Sequence, residues 1–130
     1  MRTIKFRGES ILTDEWLYGD LVHSADNKRF GILVNDKDSY DECEVAPETV
    51  GQFTGLYDKD GKEIYEGDIL RFGNSPSGVC EVKWNESIAA FCICFYFEGE
   101  IGSRPLGGGV EFAIIGNIHD NPELLKEKLC

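Results

Sequence analysis

Hydrophobic and polar positions alternate along most of this chain, and the period of two predicts strands rather than helices. From Arg2 to Arg7, Ile4 and Phe6 share one face while Thr3, Lys5 and Arg7 share the other, which predicts a half-buried first strand. Gly8 to Asp14 reads as a turn. Trp16, Tyr18, Leu21 and Val22 form a second β segment, interrupted at Gly19-Asp20. Polar Ser24 to Lys28 then predicts a hairpin into a strand at Phe30 to Val34. The acidic stretch from Asn35 to Glu48 reads as a long loop or a short edge strand, and Pro47 keeps Ala46 out of helical geometry.

The clearest local code lies between Gln52 and Phe72. Asp60-Gly61 can supply the positive backbone angles of a tight turn, with β-prone residues on both sides, so a hairpin is predicted. A second turn at Glu66-Gly67-Asp68 leads into Ile69, Leu70 and Phe72, with the Asp68 carboxylate expected to fold onto nearby backbone N–H groups. The aromatic-Gly-Asp pattern at Tyr18 to Val22 and the similar one at Tyr65 to Leu70 raise the idea of two copies of one small β unit, against the plainer reading of ordinary turn chemistry.

Beyond Phe72, Gly73 to Gly78 is the best turn or linker candidate and the expected place of any hinge. Val79 to Trp84 resumes alternation. The next strand, ending at Phe97, is apolar on both sides, with Phe91, Ile93, Phe95 and Phe97 on one face and Cys92, Cys94 and Tyr96 on the other. Such a strand is either central in a two-sided core or covered by another subunit, which makes Cys92, Cys94 and Tyr96 the candidate self-association strand. Gly99 to Gly109 reads as a mobile hairpin loop before a strand at Val110 to Ile115. At the end, Asn121 as cap, Pro122 at the first position and Leu124, Leu125 and Leu129 on one side predict a short helix.

Charge changes this picture most. The 130 residues carry a net charge of -11, a sign that phosphate backbones repel, so ordinary nucleic-acid binding is disfavoured. Six acids and one base lie between Asn35 and Glu48, and Asp36, Asp38, Asp41, Glu42 and Glu44 form the candidate surface for a basic partner; the plainer reading is a solvated acidic segment. Five cysteines without Cys-x-x-Cys spacing and no signal-peptide pattern predict reduced thiols and a cytoplasmic protein. No stretch reaches the ~20 apolar residues of a membrane span.

Candidate chemistry is sparse. The Asp58 to Glu63 segment has its glycine at the fourth position, where a calcium loop needs it at the sixth. His23 and His119 lack partners at zinc-like spacing, and Cys80, Cys92 and Cys94 read as small buried apolar residues rather than metal ligands. Gly107 to Gly109 has neither the Lys-Ser/Thr nor the helix of a phosphate loop. No nucleophile, base and orienting group can be recognised, so no catalytic residue, cofactor or metal is assigned, and an enzyme is not expected.

Three separated stretches carry a family resemblance. Ile4 to Gly8 with Trp16 to Asp20, Thr49 to Leu56 with Asp58 to Gly61 and Glu63 to Ile69, and Ile115 to Leu125 occur in the order seen in the YopX-like proteins of phages and prophages, which the chain resembles over nearly its whole length. The resemblance implies a β-rich, phage-encoded, oligomer-forming protein and brings no catalytic residues with it. The expected fold is mainly β: small barrel-like antiparallel sheets, as one composite barrel or two small subdomains, with a short C-terminal helix. Residues 1–130 form one domain, with a subdivision near 46–51 between an N-terminal β unit and a C-terminal small barrel. The leading functional expectation is a non-enzymatic, self-associating module that binds a host or phage protein. The alternatives are an acidic nucleic-acid mimic occupying a basic host surface, and a weak nucleic-acid binder using Arg2, Lys5 and Arg7.

Overall fold

The computed structural model describes residues 1–36, 39–73, 78–97 and 99–125, apart from the side chains of residues 35, 36, 39, 40, 96 and 97. Eleven strands follow one another among them: β1 Phe6–Glu9, β2 Trp16–His23, β3 Phe30–Asp36, β4 Ser39–Val45, β5 Gly51–Tyr57, β6 Glu63–Tyr65, β7 Asp68–Phe72, β8 Val79–Asn85, β9 Ala90–Phe97, β10 Glu100–Pro105 and β11 Phe112–Asn117. The chain divides into two compact units, Met1–Gly55 and Leu56–Cys130. This boundary lies beyond the expected 46–51 segment because β5 pairs with β1, Gly51 opposite Arg7 and Gln52 opposite Phe6, so its first residues stay with the first unit. The fold is mainly β, in two open antiparallel sheets and no closed barrel.

In the first unit the strand order is β4-β3-β2-β1-β5. Alternation in β1 begins later than the sequence suggests: residues 1–5 form no strand and Ile4 is exposed. Strand β2 runs unbroken through Gly19-Asp20, where a Cβ at Gly19 would collide with the Leu33 carbonyl oxygen. Gly67, by contrast, sits in a turn with φ of 88°, so the two Gly-Asp sites are structurally different and do not mark a repeat. Beyond β1 the chain meets β4 at an isolated bridge between Ser10 and Val45, flanked by hydrogen bonds from Ile11 N to Glu44 O and from Ala46 N to Glu9 O. Ile32 and Val45 are fully buried here, and Phe53 nearly so.

In the second unit the end of β5 and β6 form the predicted hairpin, closed by a bond from Asp58 N to Lys62 O, with Gly61 at φ 83°. The larger sheet has the order β10-β9-β8-β7-β11. Its register aligns Ile114, Leu70, Cys80, Phe95 and Gly102 in one row across five strands, and this face packs with Ile64, Val82, Ile93 and Phe112 as the core. Strand β10 is a correction to the sequence reading of a loop at 99–109. Pairing with β9 over six residues outweighs the low strand propensity of its glycine, which packs beneath an aromatic ring: a Cβ at Gly102 would fall 2.5 Å from Phe95 Cε2. The glycines that do turn the chain are Gly99 before β10 and Gly107 to Gly109 after it.

Residues 74–77 of the expected hinge at Gly73 to Gly78, and the last five residues, with Leu129, lie outside the described residues. What is described of the C-terminal helix is one 3-10 turn, Pro122–Leu124. Asn121 does not cap it; its Oδ1 accepts instead from Asn117 N.

The strongest polar feature of the second unit is Asp58, 7% exposed. Its Oδ1 accepts from Asp60 N and Lys62 N, both at 2.9 Å, and its Oδ2 from Ile114 N at 3.2 Å. Burial by itself raises this carboxyl's pKa, but the backbone donors of Lys62, Ile114 and Asp60, with the Lys62 charge, bring it below the ordinary value. Asp58→Ala strands these donors and is expected to cost about 2–4 kcal/mol in urea unfolding. Because the folded pKa is the lower one, the stabilisation is complete above the unfolded value of about 3.9 and is lost as pH falls through the folded value. Asp58→Asn should therefore flatten the acid limb of a stability-versus-pH curve.

Candidate partner-binding surface

The acidic stretch is an edge strand rather than a loop. Strand β4 is the outermost strand of the first sheet and pairs with β3 along its whole length, Gly31 opposite Glu44 and Leu33 opposite Glu42. Directly opposed residues share a face. Continuing across β2, where Val22 faces Gly31 and Asp20 faces Leu33, the register gathers Asp20, Glu42 and Glu44 on one face, all exposed. Asp41 is also exposed but alternates onto the opposite face. Of the other sequence candidates, Asp36 ends β3 with its side chain outside the described residues, and Asp38 lies outside them altogether. Asp20 is the residue that sequence reasoning missed.

A recess of about 220 Å³ opens on this face, lined by Val22, His23, Ser24, Arg29, Phe30, Gly31, Glu42 and Glu44. It exists because Gly31 contributes no side chain: a Cβ there would lie 3.3 Å from Val22 Cγ2 and 3.4 Å from Glu42 Cγ. The β2–β3 turn frames one end. Ser24 and Asp26 hold it, their side chains accepting from the backbone of Lys28 and Arg29, and Asn27 adopts φ 58°. The Ser24 hydroxyl, then the Lys28 amide, holds the Asp26 carboxyl below its usual range, so the turn adds another fixed anion nearby.

The outer backbone edge of β4 is partly used. Glu44 O accepts from Ile11 N, and alternation turns the N–H and C=O of Glu42 the same way, where no described residue pairs with them. The surface thus combines two glutamates, a largely polar recess and a short open strand edge. An extended segment carrying a cationic side chain is the chemistry it can receive.

Residues 5–126 match the family model described as YopX protein. The chain belongs to the YopX family. No curated protein matches it. Among solved structures it is similar to protein EF1440 from Enterococcus faecalis, at 24% identity and a TM-score of 0.49, over 96% of this chain and 99% of that one. The family assignment agrees with the three motifs read from the sequence.

Cys92 and Cys94 of the candidate self-association strand are buried, at 1% and 3% exposure; the Tyr96 side chain lies outside the described residues. Cys43, Cys80 and Cys92 are free thiols. Burial, opposed by the Arg104 charge, pushes the Cys80 thiol up to about 12, which leaves it protonated and unreactive. Among the described residues no group of His, Cys, Asp and Glu is arranged to hold a metal ion. No helix among them is long and apolar enough to cross a membrane. Of the three residues of the small basic patch, Arg7 is buried, its guanidinium 4.8 Å from the centre of the Trp16 ring, Lys5 is half-buried and Arg2 is exposed.

Glu81 lies on the same sheet face as Cys94 and Ile69, 6% exposed. Desolvation raises its pKa, more than the Lys83 charge lowers it. Here the folded value is the higher one, so the native state holds the proton longer and stability falls as pH rises from the unfolded value, about 4.3, through the folded one. Glu81→Gln is expected to be more stable than the natural chain at pH 7, with the advantage shrinking toward pH 4, as measured by urea unfolding across that range.

Proposed function

We propose that this YopX-family protein acts by binding, without catalysis of its own, and that the face carrying Asp20, Glu42 and Glu44 meets a basic protein. The observation that supports this reading is the convergence of those exposed acids with the recess at Gly31 and the open stretch of β4. A lysine or arginine side chain entering the recess lays its methylene stem on Val22 and brings its charge to Glu42 and Glu44, while its backbone extends the sheet beside Glu42. Long-range attraction by the net charge of -11 adds to the encounter rate and is weakened by salt. A basic surface that normally holds DNA satisfies the same requirements, so nucleic-acid mimicry is the sharpest form of this reading.

Affinity capture from bacterial lysate, washed at low and at high salt, tests it. Basic proteins are expected to be retained by the natural chain at low salt and released at high salt. Glu42→Gln/Glu44→Gln should lose most of that retention, whereas Asp41→Asn, on the opposite face, should keep it. The proposal fails if the double variant captures the same proteins with the same salt dependence.

A further inference from the structure

Strand β10 is an edge whose pattern fits one particular neighbour. It is the outermost strand of the second sheet, its residues other than Gly102 are exposed, and among the described residues nothing pairs with its outer side. Leu106 N donates to Phe91 O in line with the β9–β10 register, so alternation directs the backbone groups of Gly102 and Arg104 toward β9 and those of Ile101 and Ser103 outward. Pro105, which has no N–H, falls at an outward position, where it costs the β9 ladder nothing.

We propose that β10 pairs antiparallel with β10 of a second copy, about a two-fold axis at Gly102. Only registers that oppose outward residues make backbone bonds. Centring on Ser103 would set Ile101 against Pro105 and lose a donor, and centring on Ile101 would set Ser103 against Gly99, which sits in a turn at φ 83°. Centring on Gly102 sets Ile101 against Ser103 twice, and both residues have an N–H and a C=O to exchange. That register also sets Glu100 against Arg104 of the other copy, twice, in the non-hydrogen-bonded positions where side chains approach most closely.

Charges on an edge strand ordinarily discourage pairing. Here they have opposite signs and equal distance from Gly102, so they discourage other strands and complement this one. The result is an isologous contact, each copy contributing the same patch. This surface is separate from the β4 face, so either proposal can fail without the other.

Two single charge reversals test it, both at exposed positions that leave the core untouched. The natural chain should self-associate by sedimentation between micromolar and millimolar concentration. Glu100→Arg and Arg104→Glu each replace two attractive pairs by two repulsive ones, and each alone should weaken self-association by about tenfold or more. An equimolar mixture of the two variants should recover it, because every cross-pair is again Arg against Glu. A natural chain that stays monomeric throughout, single variants that associate as it does, or a mixture that stays monomeric would each overturn the proposal.

Discussion

The Asp58 carboxylate is the interaction on which the second unit depends. It is out of water and ionised, which is tolerable only because three backbone donors converge on it. Two of them come from the turn that Asp58 itself begins, and the third, from Ile114, arrives from 56 residues away. Lys59 N reinforces the join by donating to Phe112 O. Strand β11 is thereby seated beside β7 with Phe112 and Ile114 delivered to the core, and Phe112 packs edge-on against Phe72 at 6.3 Å. A local turn preference and a long-range strand placement are therefore one event.

How much of this was legible follows from where each determinant lies. The Gln52 to Phe72 segment could be read because its turn residues act locally: Gly61 supplies its positive φ, and the Asp68 carboxylate accepts from Tyr65 N, three residues away. The Asp58 to Gly61 segment could be read as a turn, but the bond from Ile114 N to Asp58 leaves no trace in nearby sequence. Strand β10 was missed for the opposite reason. Its glycine argues against a strand locally, and only the Phe95 ring lying over it explains the residue.

The candidate surface was half legible. Counting acids between Asn35 and Glu48 found β4, but a linear count mixes two faces that the pleat separates, so Asp41 was grouped with Glu42 and Glu44 while Asp20 was left out. Only the register through Leu33 joins Asp20 to Glu42. Likewise, apolar character on both faces of β9 is an unambiguous signal for burial and an ambiguous one for what does the burying; Cys92 and Cys94 are covered within one chain.

The way β11 is finished also determines how large an assembly built on this sheet can become. A sheet with two bare edges is a repeating unit and can lengthen into a fibre, whereas one bare edge gives a unit that is consumed when it meets its like. The Asp58 turn occupies the far side of β11, taking up the Ile114 N–H and the Phe112 carbonyl that a further strand would need. If β10 joins two copies as proposed, β11 leaves no second bare edge, and the bond that seats the last strand of one molecule would also limit how many can join.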